Sequence, residues 1–164
     1  MIFRSSRAAL EIMEDTMPRP GKPNPSLRRL EKLVGLWKIE GRALDSNHNN
    51  ISGQVTIEWL PGGFFMMQRG EIVVNEFKVH ALEVVWYDPS AKVFPSYVYS
   101  DVAGFPSRYY WDVRGNVVKH WTKGARYSGK FSEDGNTLSG GWRPLGRQRN
   151  TQGNNYDAVM TRAV

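Results

Sequence analysis

From Gly35 onward, apolar and polar residues alternate with a period of two, in short runs separated by tight turns. Such alternation places successive side chains on opposite faces of a strand, one toward a core and the other toward water. The pattern predicts strands over 36–44, 52–60, 64–74, 77–87, 93–100, 107–113, 117–122, 125–131, 137–143 and 156–162, about ten strands of ordinary length. No long helical pattern interrupts them, and the hairpin-length links favour a meander. A meander of this many strands removes its exposed edges most simply by closing on itself. The expected fold is therefore all-β: an antiparallel up-and-down β-barrel of about ten strands, wide enough to enclose a small molecule.

Ahead of the strands the repeat changes. Asn24 suits a helix cap and Pro25 the first helical position, while Leu27, Leu30, Leu33 and Val34 recur at helical spacing before Gly35. One short N-terminal helix laid across a barrel end would use that single apolar stripe. Pro18, Pro20, Pro23 and Pro25 break up the stretch before it, after a short helical pattern around 8–14. Residues 1–25 are expected to be a flexible arm and 26–164 the barrel domain.

Which side chains face inward follows from the turns, because a two-residue turn fixes the partners across a ladder. A type II′ turn at Gly115-Asn116 pairs Val113 with Val118, Trp111 with His120 and Tyr109 with Thr122. Lys123-Gly124 keeps the parity and sets His120 against Tyr127. The loop Glu133-Asp134-Gly135-Asn136 then sets Tyr127 against Trp142. One face thus carries Trp111, His120, Tyr127 and Trp142 in a row across four strands, together with Val113, Val118, Ala125, Gly129, Phe131, Leu138 and Gly140. The other holds Arg114, Lys119, Arg126, Lys130 and Arg143, so the first looks inward. Aromatic rows in barrels are commonly plain packing. A buried histidine or phenol nevertheless needs a partner, and His120 and the Tyr127 hydroxyl require each other, a backbone group, water or a ligand. Weaker candidates lie elsewhere: Val55, Ile57 and Trp59 form an inner set, the turn at Pro61-Gly62-Gly63 carries this face onto Met66 and Gln68 or, with one residue of slip, onto Met67 and Arg69, and Tyr97 and Tyr99 share a face.

Composition narrows the chemistry. The 164 residues include no cysteine, which excludes a disulfide framework, a thiolate metal site and a cysteine nucleophile together. His48, His80 and His120 are scattered, with no acid at ligand spacing, so no metal site is expected, and no cofactor is called for. The formal charge of +6 is spread along strands and a Gly/Gln/Asn-rich loop holding Arg147 and Arg149. That spacing describes a solvated face, so no nucleic-acid partner is expected, an anion site near the rim being the alternative. The first residues place arginines where a secretory signal needs its apolar stretch, and no run of about 18 apolar residues occurs. The expectation is a cytoplasmic protein with no membrane partner, and the sequence is compatible with a homodimer.

Gly35-Leu36-Trp37 at the start of the first strand resembles the Gly-x-Trp opening of the lipocalin-like calycin barrels, and Arg162 on the last strand matches the arginine that packs over that tryptophan. The resemblance implies that Trp37 and Arg162 close one barrel end through a cation–π contact. Pro61-Gly62-Gly63-Phe64, Trp86-Tyr87-Asp88, and Phe131-Ser132-Glu133-Asp134-Gly135 leading to Gly141-Trp142 are similar to a bacterial family of uncharacterised lipocalin-like domains, over about residues 27–164. The chain departs from secreted lipocalins in having more strands and no cysteines. Nitrobindin-like barrels share a ten-stranded plan and bind haem through a histidine, but their ligand-bearing segment does not align onto His120.

These readings give one leading expectation: a small apolar or aromatic ligand bound inside the barrel by Trp59, Met66, Gln68, Tyr97, Tyr109, Trp111, His120, Tyr127 and Trp142. The alternative is a cofactor-free isomerase, cyclase or dehydratase, with His120 as base and Tyr127 or Tyr109 as acid. Haem binding is the lesser alternative.

Overall fold

A computed structural model describes residues 21–146 and 155–163. The pattern at 8–14, most of the expected arm, and Arg147 and Arg149 lie outside the described residues. A 3₁₀ helix, Pro25–Leu33, precedes ten strands: β1 (Gly35–Ala43), β2 (Ile51–Trp59), β3 (Met66–Val74), β4 (Phe77–Val85), β5 (Phe94–Ser100), β6 (Ser107–Arg114), β7 (Val117–Trp121), β8 (Ala125–Phe131), β9 (Thr137–Pro144) and β10 (Tyr156–Arg162). Each strand pairs antiparallel with its sequence neighbours, and β1 pairs with β10 to close the barrel. Every edge is thereby satisfied within the chain, as the meander requires. Among the described residues no helix is long and apolar enough to cross a membrane.

The helix takes the 3₁₀ form because its leucines recur every three residues. Leu27, Leu30 and Leu33 then fall on one line along a helix of three residues per turn, and all three are buried. Each such side chain contributes about 1.5–3 kcal/mol by leaving water. The Asn24 side chain caps the helix by accepting from the Ser26 amide at 2.9 Å, and Val34 ends it in an extended conformation. Arg29 pins the helix to β6 by donating to the Val113 carbonyl at 2.8 Å and pairing with Asp112. Lys32 reaches the β6–β7 turn through Asn116 Oδ1 at 2.7 Å.

This end of the barrel is packed solid. Leu27, Leu30 and Leu33 join Trp37, Met66, Phe94, Val113, Val118, Phe131 and Leu138 in one buried cluster. Trp37 is fully buried, and its indole donates to the Leu33 carbonyl at 2.7 Å. The Arg162 guanidinium lies 4.2 Å over that ring and donates to the carbonyls of Val34 at 2.6 Å, Lys32 at 3.1 Å and Gly135 at 3.4 Å. Gly35 makes this approach possible: its φ of +139° is open only to glycine, and a Cβ there would overlap the Arg162 guanidinium.

Candidate functional site

The hairpin registers place an aromatic row on the inner wall. Trp111 pairs with His120, His120 with Tyr127 and Tyr127 with Trp142, as the turns required. The row extends further than the turns alone revealed, because Phe94 pairs with Trp111 and Tyr156 with Trp142, so it crosses six strands. Across the barrel, β2–β5 supply Gln68 opposite Glu83, with Glu83 opposite Val98.

The two walls meet at Glu83, whose side chain is only 2% exposed. Its Oε1 accepts from Ser96 Oγ at 2.5 Å, Trp111 Nε1 at 2.7 Å and His120 Nε2 at 3.1 Å. Its Oε2 accepts from Gln68 Nε2 at 3.3 Å. Donors at both oxygens suit an ionised carboxylate, which only accepts. Burial is the largest single influence on the Glu83 carboxyl and pushes its pKa up. The charge of His120 and the hydrogen bonds from His120, Ser96 and Trp111 together outweigh it and hold the carboxyl below the usual carboxylate range.

His120 is enclosed by rings. The Trp111 indole stacks on it at 3.7 Å between centroids and 14° between planes, and Tyr109 and Trp142 each approach to 5.1 Å. Nε2 donates to Glu83, and Nδ1 has no hydrogen-bond partner among the described residues. Burial, followed by the Glu83 charge, raises the pKa of Tyr109. Tyr127 and Tyr156 are also raised, chiefly by burial, so these phenols keep their protons at neutral pH.

Of the partners open to His120 and the Tyr127 hydroxyl, the two side chains do not take each other. The Tyr127 ring runs along its own wall into the room left by Gly129 and Gly140, where any Cβ would strike it. Its buried hydroxyl has no hydrogen-bond partner among the described residues, and the imidazole turns to Glu83 instead. Tyr97 is a correction. Phe94, Ser96 and Val98 take the inner positions of β5, so Tyr97 lies on the outer surface, 36% exposed, where its hydroxyl accepts from Arg108 Nη1 at 2.9 Å. Trp59 and Met66 belong to the helix end rather than to the polar centre; the Trp59 indole donates to Glu31 Oε2 at 2.8 Å and Met66 is wholly buried. The turn at Pro61-Gly62-Gly63 does select Met66 and Gln68, since Arg69 lies outside and pairs with Glu58. Among the histidines, His48 and His80 are exposed; His80 is held between Asp101 at 2.7 Å and Glu71 at 3.0 Å.

A cavity of about 70 Å³ adjoins this centre, lined by Val55, Gly70, Ile72, Val79, Ala81 and Val98 with Gln68 and Glu83 as its polar groups. It runs from Glu83 toward the barrel end away from the helix. The room is thus on the β2–β5 side, while the aromatic row opposite is packed. Among the described residues no group of acids and histidines is placed to hold a metal ion.

Among the described residues, strand order, closure and this interior define a closed ten-stranded antiparallel β-barrel domain with one short helix. A solved structure of similar plan is that of Rv2717c from M. tuberculosis, with a TM-score of 0.59 at 14% identity; the match covers 87% of this chain and all of that one. At that identity the likeness concerns the fold. No family model and no curated protein matches the chain.

Proposed function

We propose that the protein binds a small apolar or aromatic molecule inside its barrel, in the space between β2 and β5, with Glu83, Gln68 and His120 as the polar centre. The observation that carries this reading is a largely apolar cavity ending on a buried carboxylate. Maintaining a desolvated charge there costs stability unless every donor is in place, and Ser96, Trp111 and His120 are spent on it. The volume of about 70 Å³ is well under the roughly 300–1,000 Å³ of pockets for drug-sized ligands. The guest is therefore slender, or its body extends toward the helix-free end, and the small volume favours such a guest over a haem. The Gly35-Leu36-Trp37 opening and the Arg162 guanidinium stacked on Trp37 support a calycin-like reading of the barrel.

Native mass spectrometry of protein purified from its own host tests occupancy, and a retained small-molecule mass is the expected result. Ala81→Leu puts a larger side chain into the cavity lining. It is expected to abolish that retained mass while circular dichroism and the melting profile stay close to wild type. Retention of the ligand by the filled variant would place the guest elsewhere.

A second reading is a cofactor-free proton-transfer enzyme, favoured by the unpartnered Nδ1 of an imidazole that a carboxylate orients. Tyr109, whose ring lies 5.1 Å from the imidazole, is then the acid in place of Tyr127. His120→Ala separates the two. A catalyst loses turnover and still binds, whereas a binder shows changed affinity alone.

A further inference from the structure

Resting on the interior-binding reading, we infer that the ligand's head group is a hydrogen-bond donor, a hydroxyl or an ammonium, received by Glu83 Oε2. Three donors already converge on Oε1, from Ser96, Trp111 and His120. Oε2 has a single partner, the Gln68 amide at 3.3 Å, and so retains accepting capacity. Both residues line the cavity, and the rest of its lining is apolar. The amide orientation of Gln68 is fixed by this contact, since a carboxylate needs the nitrogen to face it. The Gln68 carbonyl oxygen then has no hydrogen-bond partner among the described residues, which adds a second acceptor to the same site.

The polar groups available to a guest on this wall are thus mainly acceptors, Glu83 Oε2 and the Gln68 carbonyl oxygen, against one remaining N–H of the Gln68 amide. A carboxylate or phosphate head would set a second negative charge against Oε2 in apolar surroundings, and a ketone could meet the remaining Gln68 N–H but would leave Oε2 facing another acceptor. A hydroxyl or ammonium completes the set. The cavity is about half the size of the 150 Å³ void that admits benzene, so it suits a head group and a short stretch of chain.

Probes sharing one tail test the inference: 1-butanol, n-butylammonium and butyrate, titrated into the full chain and followed by NMR at the indole N–H of Trp111, which shares Glu83. Butanol or butylammonium is expected to bind at least about tenfold more tightly than butyrate. Preference for the ammonium over the alcohol indicates a cationic ligand, and the reverse indicates a neutral hydroxylated one. In Glu83→Gln the advantage of butylammonium over butyrate is expected to fall below about threefold. If that variant does not fold, the wild-type series still decides. Butyrate binding as tightly as both donor probes overturns the inference while leaving interior binding intact. Interior signals unmoved by all three overturn both.

Discussion

Replacing Glu83 with alanine is expected to destabilise the barrel by about 3–5 kcal/mol, seen as a fall of roughly 6–20 °C in Tm for a chain of this size. The loss comes from what remains behind. Ser96, Trp111 and His120 would each keep a donor pointing at a space with no acceptor, and all three are buried. Glu83→Gln should cost less, about 1–3 kcal/mol, because its carbonyl can still receive those donors while Gln68 turns its amide to meet the new NH₂ group. Paired with His120→Ala in a double-mutant cycle, the Glu83 variant should show coupling of about 0.5–3 kcal/mol. The pH response has a definite sign. The folded-state pKa of Glu83 lies below its ordinary value near 4.5, so its contribution is full above that value and is lost as pH falls through the folded pKa. Wild type should therefore lose stability on acidification more steeply than Glu83→Gln. Thermal melts across pH check both points, and a loss under about 1 kcal/mol in Glu83→Ala would mean the donors find other partners.

What the sequence disclosed about this centre depended on the turns. Between 107 and 143 two-residue and four-residue links fix parity, and the inward row of Trp111, His120, Tyr127 and Trp142 is the direct result. β4 lacks such a signal. Leu82 and Val84 on its outer face are as apolar as Val79, Ala81 and Val85 inside, so the alternation does not announce which way Glu83 points. A glutamate flanked by Leu82 and Val84 also reads as a surface residue until the ladder with Gln68 is known. Ser96 is hidden for a related reason, since β5 presents Tyr97 and Tyr99 as the conspicuous residues and the small serine is the one that reaches Glu83. The Tyr127 rotamer depends on Gly129 and Gly140, whose lack of side chains matters only once the two are seen to be cross-strand partners. By contrast, the helix was visible from its leucines, Asn24 cap and Pro25, although helical spacing alone did not distinguish the 3₁₀ form it takes.

The second large effect concerns the helix end of the barrel. Trp37→Ala should cost about 3–5 kcal/mol, the usual loss when a fully buried indole leaves a cavity behind. Arg162→Lys is the more searching change. It keeps the charge, yet a single ammonium lacks the planar fork that serves Lys32, Val34 and Gly135 while lying flat on Trp37. Those carbonyls belong to the helix, the bend after it and the β8–β9 turn, so one guanidinium ties three separate segments to β10. Losing part of that fork should cost about 1–3 kcal/mol, measured by urea unfolding with an unchanged m-value. A change within about 0.5 kcal/mol of wild type would show that a positive charge near Trp37, and not the fork of carbonyl contacts, holds the end closed. Because this closure and the Glu83 centre share no partners, Arg162→Lys should leave probe affinity in the cavity unaltered, and its cost should add to that of Glu83→Gln. Additivity of that kind would establish a division of labour along the barrel axis, with the helix end holding the fold together and the other half left to accept a guest.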